Sequence, residues 1–309
     1  MLFLKNKEKN ISIVIIFYNV KTYVKECLDS IVSQGIDKEI ICVDDCSTDG
    51  TYEILKEYEK KFEEIKVYRH TQNLGGAAAR HTGMLHSKGE YLLFVDGDDR
   101  LIDNSLNNLY SEAQKSKIDI LEFSMETDGN TKMFNGNLKR ENTRIDSNLL
   151  EAYDQKKILN TLANKLIAKK VYKKALKKIN TETYHDNYSA VIYFLYHFLI
   201  HAENLKTTET VGYFYYDKRG MTATMNWLER YRSFCNFEIT YRELLETYGY
   251  SKTLKNIYKI VCNQAVGTFL NLSQKEREQN KELLHKLMTE DEADYLINEY
   301  IKFRKENAN

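Results

Sequence analysis

The sequence predicts an α/β fold, a mostly parallel sheet flanked by helices with a C-terminal helical region behind it. Three observations predict it. Strand-length apolar runs and amphipathic stretches alternate four times between residues 11 and 125, with tight connections, which is the pattern of a parallel sheet covered on both faces. Those runs stop abruptly at polar residues. After Met125 the alternation breaks, and from Met221 onward only helical periodicity remains.

The elements follow in order. Ile11–Phe17 is a first buried strand, ending at Tyr18-Asn19. From Val20 to Gln34 the apolar residues fall at helical spacing, with Gly35 as a stop. Glu39–Val43 is a second strand, closed by Asp44-Asp45. Ser47-Thr48-Asp49-Gly50 offers capping chemistry to a helix through Ile54, Leu55 and Tyr58. Ile65–His70 is a third strand. Asn73-Leu-Gly-Gly76 turns into an alanine-rich helix from Ala77 to about Ser87. Tyr91–Val95 is a fourth strand of five apolar or aromatic residues, Asp103–Lys117 another helix, and Ile118–Met125 a further strand. Glu126–Asn148 reads as loop with short strands. Leu149–Ile179 reads as helical and carries Lys165, Lys169, Lys170, Lys173, Lys174, Lys177 and Lys178. Tyr188–His201 is an aromatic-rich helix and Val211–Tyr216 one more strand. Helical periodicity then covers Tyr231–Leu245, Leu254–Leu272 and Leu283–Phe303. Three regions are expected: 1–125, 126–220 and 221–309.

Composition bounds the function. The 309 residues carry 45 basic and 45 acidic side chains, so no global field points to nucleic acid as a partner. No apolar run approaches the roughly 18 residues of a transmembrane helix, and Met1–Asn10 runs straight into a strand without the pattern of a signal peptide. The expectation is a cytoplasmic protein. Five cysteines, with no Cys-x-x-Cys pair, read as reduced thiols. Proline is absent, so no X-Pro isomerisation slows folding.

Chemistry concentrates where the fourth strand ends. Asp96-Gly-Asp98-Asp99 places three carboxylates around one glycine at the carboxyl end of a central strand, where open α/β sheets hold their ligands. They would repel one another unless a cation sat among them, and Asp-x-Asp suits a hard divalent ion whose shell substrate phosphates complete. Gly97 leaves room for phosphate or sugar near the backbone. The alternative is a plain acidic turn. Tyr18-Asn19, Asp44-Asp45, Arg80 after Gly75-Gly76, and Asp96-Gly-Asp98 all fall at or just after carboxyl ends of successive strands. That set suits a nucleoside diphosphate, since an aspartate accepts a uracil imide hydrogen and an arginine pairs with phosphate or fixes the aspartate.

These residues carry a resemblance. Ile13-Val-Ile-Ile-Phe-Tyr-Asn19, Ile41-Cys-Val-Asp-Asp-Cys-Ser-Thr-Asp-Gly50, Asn73-Leu-Gly-Gly-Ala-Ala-Ala-Arg80 and Gly89-Glu-Tyr-Leu-Leu-Phe-Val-Asp-Gly-Asp-Asp99 resemble the nucleotide-sugar-binding domain of family 2 glycosyltransferases, which have the Rossmann-like GT-A fold. The resemblance implies nucleotide contacts from Phe17, Tyr18, Asn19, Asp45, Arg80, Asp96 and Gly97. Within these Asp45 meets the base and Asp96 the ribose, and Asp98, with Asp96 beside it, holds Mn²⁺ or Mg²⁺. The family usually has proline where Ile16 stands, a departure that slightly loosens that turn. More weakly, Asn164–Tyr172 and Val211–Thr222 are similar to segments of the capsule and cell-surface polysaccharide branch. That branch carries a Glu-Asp pair containing the catalytic base, where this chain has Tyr184-His-Asp-Asn187. Asp186 is the preferred base, with His185 as substitute; Asn187 occupies the base position if Asp186 matches the glutamate.

The implied activity is inverting transfer of a hexosyl or N-acetylhexosaminyl group from a nucleotide sugar, UDP-linked, to a hydroxyl of a glycan or lipid-linked glycan acceptor. Two other classes are kept: a sugar nucleotidyltransferase, disfavoured because Phe17-Tyr18-Asn19-Val20 is not a glycine-rich triphosphate loop, and a non-catalytic sugar-nucleotide-binding or assembly subunit, which Asn187 would favour. Lys165–Lys178 is either a solvated helix face or a contact with anionic membrane or a diphosphate. The C-terminal helices are candidates for pairing two subunits.

Overall fold

The structure is a computed structural model, and it describes residues 9–129, 138–180, 187–219, 226–249, 251–289 and 291–298. The chain forms two compact units, Met1–His185 with Ala190–Gly220 and Asp186–Ser189 with Met221–Asn309.

The first unit is built on one nine-stranded sheet. Its strands are β1 Ile11–Phe17, β2 Lys38–Asp44, β3 Ile65–Arg69, β4 Tyr91–Asp96, β5 Arg100–Leu101, β6 Ile120–Thr127, β7 Thr143–Ile145, β8 Lys165–Ala168 and β9 Leu205–Tyr215. They lie in the order β3-β2-β1-β4-β8-β6-β9-β5, with β7 on β9. The first four are parallel, as the alternation predicts. The sheet is nevertheless mixed: β8 runs antiparallel to both β4 and β6, and β9 is parallel to β6. A short apolar stretch inside a lysine run gave no periodicity from which strand β8 could be seen.

Helices α1 Val24–Val32, α2 Thr51–Lys61, α3 Gly75–His86 and α4 Ser105–Ser116 connect these strands. β1 is buried on both faces, so it reads as one apolar run and not as an alternation. One face of the central strands packs Ile13, Ile15, Phe17, Leu93 and Val95 with Val24, Leu28 and Ile31 of α1 and Leu106 and Leu109 of α4. On the other, a Cβ at Gly83 of α3 would lie 2.1 Å from Val14 Cγ1. Close helix–sheet approach therefore explains why α3 is written in alanine and glycine. Phe94 meets the rings of Phe194 and Phe198 there; both belong to α7, Asn187–His201. α1 begins four residues later than predicted and ends before Gly35, its cap being Ser33. Ile16 continues β1 without a break, and its carbonyl accepts the Gly97 amide at 3.0 Å.

Leu149–Ile179 is not one helix. It divides into α5 Leu149–Asp154, strand β8 and α6 Lys169–Leu176. The physical reason is Glu122, fully buried on β6. Its carboxylate lies 2.9 Å from Lys165 Nζ, and that ammonium, also fully buried, donates to the carbonyls of Leu159 and Thr161 and to Asn164 Oδ1. A charge buried this way needs every donor used, and the chain between the helices is folded around it. Lys165 thus takes no part in a solvated lysine face. Lys169, Lys170, Lys173 and Lys174 sit on α6, with Lys177 and Lys178 just past its end, and α6 lies at the amino end of β4: the Tyr172 hydroxyl donates to Gly89 O, Lys173 Nζ to Ser87 O and the Lys169 amide to Glu90 O. Asp96 closes β4 at its other end. β9 begins six residues before the predicted start of its strand.

The second unit is helical. Its helices are Trp227–Cys235, Phe237–Tyr248, Lys252–Phe269 and Gln274–Leu287, and the first, third and fourth enclose a cluster of Tyr231, Cys235, Cys262, Ala265, Phe269 and Leu284. The stretch expected as one helix over Tyr231–Leu245 is broken at Asn236. Asn226 with Glu229 and Ser273 with Glu276 form reciprocal capping boxes. No described helix is long and apolar enough to cross a membrane.

Removing the Lys165 ammonium leaves buried Glu122 with Arg140, whose Nε lies 2.8 Å from Oε1, as its remaining cation, and strips the carbonyls of Leu159 and Thr161 of their donor. Lys165→Ala is expected to lower unfolding free energy by about 3–5 kcal/mol, measured by urea denaturation. A loss below about 1 kcal/mol would contradict the assignment of Lys165 to the core.

Candidate active site

The register of the sheet brings the candidate residues to one rim. Phe17 lies opposite Asp44, and Ile16 opposite both Val43 and Asp96, so the ends of β1, β2 and β4 are level. The loops beyond them are stitched together. Asn19, at φ 51°, accepts the Thr48 amide on its side-chain oxygen at 2.9 Å and donates its own amide to Ser47 Oγ. The Val20 and Lys21 amides go to Thr51 Oγ1 and Asp49 Oδ2. Asn19 is spent on this stitching, whereas Tyr18 stands out at the rim, 37% exposed. Phe17 is a core residue whose ring lies beneath the Asp96–Asp99 turn. A Cβ at Gly97 would come 2.3 Å from Phe17 Cδ1. The glycine is required by that ring, a reason closer to home than space for a ligand.

The two acidic clusters are handled differently. Asp44 is fully buried, bonded to the Ser47 amide and to Arg69 Nε at 3.1 Å, and burial pushes its carboxyl up. Asp45 accepts the amides of Leu74 and Gly75 at 2.8 and 2.7 Å, with His70 Nδ1 2.7 Å away. Gly75 is at φ 85°, a left-handed conformation that favours glycine. Arg80, 6% exposed, gives Nη2 to Asp96 Oδ1 at 2.8 Å, while its Nε and Nη1 are buried with no acceptor among the described residues.

The three carboxylates after β4 divide in the same way. Asp99 is drawn inward, accepting the Tyr213 hydroxyl at 2.6 Å and the Tyr216 amide at 2.9 Å; burial, then the charges of Asp98 and Asp96, push its carboxyl well up. Asp96 has Arg80. No other side chain among the described residues donates to the Asp98 carboxylate, and burial, with the Asp96 charge second, pushes it up to about 6. Among the described residues no three His, Cys, Asp or Glu converge into a metal cage. A carboxylate disfavoured as an anion, beside a second one, is nonetheless a fitting single ligand for a hard cation.

Residues to which the sequence assigned no role frame this turn, and two of them, Tyr216 and Arg219, belong to the Val211–Thr222 stretch. Arg219 lies over the Tyr216 ring at 3.3 Å and the Tyr23 ring at 4.6 Å, and donates to Glu26 Oε2 and, at 3.4 Å, to the Asp98 carbonyl. Glu26 also accepts the Tyr216 hydroxyl at 2.5 Å. Burial alone would raise the Glu26 carboxyl, but these bonds outweigh it and hold it low. Arg100 adds its Nε to the Tyr216 hydroxyl. Glu26 gave no signal of its own: at helical spacing it falls with Asp29 and Ser30, off the Val24, Cys27, Leu28 and Ile31 face. His70 obeyed the same strand-end rule as the residues that were found. His185 and Asp186 lie outside the described residues, as do Gly220, Met221 and Thr222.

A sheet whose parallel strands end in carboxylates at one rim, with a return strand tying down the last of them, is the architecture of the GT-A glycosyltransferases. The chain belongs to glycosyl transferase family 2, whose model matches residues 12–176, more than half of it. The poly(ribitol-phosphate) beta-glucosyltransferase of Bacillus spizizenii is 35% identical over 221 residues, 68% of this chain and 32% of that protein. The minor teichoic acid biosynthesis protein GgaB of Bacillus subtilis is 33% identical over 147 residues, 46% of this chain and 16% of that protein. This chain thus spans about a third or less of the length of these relatives. The crystal structure of S. aureus TarS 1-349 in complex with UDP-GlcNAc has a similar fold, with a TM-score of 0.64 at 19% identity over 93% of this chain and 84% of that one.

The raised Asp98 carboxyl sets a pH dependence. Between the ordinary carboxylate value of about 3.9 and about 6 the folded chain keeps a proton that the unfolded chain releases, so the stability from this group is complete below that range and lost as pH rises through it. Without metal, Asp98→Asn is expected to raise the melting temperature near neutral pH, with the gain vanishing at about pH 4. A lowered melting temperature near neutral pH would contradict the assignment.

Proposed function

We propose that the protein is an inverting glycosyltransferase that moves a sugar from a UDP-linked donor to a hydroxyl of a cell-surface glycan. The observation that carries this reading is the partition of the three rim carboxylates: Asp96 held by Arg80, Asp99 held by Tyr213, and Asp98 left open. Tyr18 offers the nucleobase an exposed ring, Asp45 an acceptor for its imide hydrogen, and Asp96 a carboxylate for ribose hydroxyls. Arg80 keeps Nε and Nη1 for an oxygen of the donor or for fixing Asp96.

Asp98 would hold Mn²⁺ or Mg²⁺, with Asp96 beside it and diphosphate oxygens completing the shell. When bound, such an ion acts as a Lewis acid, stabilising charge on the departing diphosphate. In the transfer step Asp186 takes the proton of the acceptor hydroxyl. The oxygen attacks the anomeric carbon from the face opposite the diphosphate, the bond from that carbon to the β-phosphate oxygen breaks, and UDP leaves with inverted configuration in the product. The relatives, a poly(ribitol-phosphate) beta-glucosyltransferase and a minor teichoic acid biosynthesis protein, support a cell-wall polymer as the acceptor class. The TarS complex supports UDP as the carrier.

Two measurements test the reading. In calorimetry, Mn²⁺ should tighten UDP binding to the wild type and lose that coupling in Asp98→Ala; undiminished coupling would remove Asp98 from the ion. Donor turnover should fall by at least about a hundredfold in Asp186→Asn while UDP binding persists. Normal turnover in that variant, with loss in His185→Ala, would transfer the base to His185. A wild type that binds donor yet never releases UDP, even by slow hydrolysis, would favour the non-catalytic subunit.

A further inference from the structure

Asp45 offers a nucleobase less than a free carboxylate would. Its side chain keeps 5% exposure. A carboxylate has about four lone-pair directions, and the protein fills three of them. Oδ1 receives the Leu74 amide and lies 2.7 Å from His70 Nδ1, while Oδ2 receives the Gly75 amide. Because a carboxylate only accepts, Nδ1 carries the ring proton. Nε2, 2.9 Å from Thr82 Oγ1, is left to accept from that hydroxyl. The ring cannot drift. Its backbone amide donates to the Asp44 carbonyl at the end of β2, and Thr82 holds its far side from α3.

We propose that His70 is a positioning residue that makes Asp45 a single-acceptor reader, admitting a base with one imide N–H and rejecting one with two adjacent donors. The inference rests on the reading of Asp45 as the base contact. With Oδ1 filled by Leu74 and His70, one direction remains, on Oδ2. Uracil presents a single N–H between two carbonyls and needs no more. Guanine presents a ring N–H beside an amino group and engages a carboxylate through both oxygens, which the closed Oδ1 forbids. Cytosine turns a ring acceptor toward the carboxylate, a repulsion that does not involve His70. The histidine therefore governs uridine against guanosine, and the aspartate governs uridine against cytidine. This also accounts for a His–Asp–Thr chain that the transfer chemistry does not use.

Calorimetric titration of UDP, CDP and GDP with Mn²⁺ into the 309-residue chain tests the division. The wild type should prefer UDP over both. In His70→Ala the UDP-over-GDP ratio should fall by roughly tenfold or more, the worth of one hydrogen bond to a charged acceptor, with the UDP-over-CDP ratio held. His70→Asn, whose amide can still donate to Oδ1, should restore the ratio. Thr82→Val, which breaks only the outer bond, should lower it by a smaller factor, and it carries the test if His70→Ala does not fold. A parallel loss of all three nucleotides with unchanged ratios would make His70 a structural residue and overturn the inference, as would failure of the asparagine to restore selectivity. If Asp45→Asn keeps the UDP-over-CDP preference, the base contact lies elsewhere and the inference falls with it; a lost preference there, with His70→Ala unchanged, overturns the role of His70 alone.

Discussion

Three carboxylates within four residues cannot all keep their charge at one buried rim unless each finds compensation, and the structure is arranged around that constraint. Asp99 is taken by the Tyr213 hydroxyl and the Tyr216 amide, both on or just beyond β9. Asp96 is taken by Arg80, itself buried in α3. What remains is Asp98, whose carbonyl is fixed by Arg219 while its side chain is left with burial and the Asp96 charge against it. The charges of Arg219 and Arg80 offset that cost only in part, and an electrostatic cost left over in this way favours a divalent ion.

That arrangement explains why the sheet is extended beyond the parallel core. β4 alone would end in an acidic turn free to move. β9 crosses to it through β5: Leu101 lies opposite Tyr213, and the Ile102 amide donates to the Gly212 carbonyl. The Tyr213 hydroxyl also receives the Asp96 amide at 3.2 Å, so one ring grips both ends of the Asp96–Asp99 turn. β8, anchored by the Glu122–Lys165 pair, fills the gap between β4 and β6. The buried charge pair and the open carboxylate at the rim are thus joined by the same run of strands.

The parallel half of the fold was legible because both-face burial writes β1 and β4 as unbroken apolar runs, and because strand ends are marked by Asn19, Asp44 and Asp96. The same rule brought Asp45, Arg80 and Asp98 together. What stayed hidden depends on contacts distant in sequence. Lys165 reads as one of seven lysines until Glu122, 43 positions earlier (165 − 122), is seen to face it. Asp99 reads as one more carboxylate of the acidic turn until Tyr213 claims it, and Glu26 reads as helix surface until Tyr216 and Arg219 reach it from residues 190 and 193 positions away. Phe17 and Gly97 carried a nucleotide expectation through the motif, yet their side-chain positions meet each other in the core.

The most direct test of this account is to locate the cation. Crystals of the 309-residue chain grown with UDP and Mn²⁺ should show an anomalous manganese peak within bonding distance of an Asp98 carboxylate oxygen, with Asp99 still bonded to Tyr213. A manganese peak on Asp99, or UDP bound at the rim with no peak beside Asp98, would contradict it.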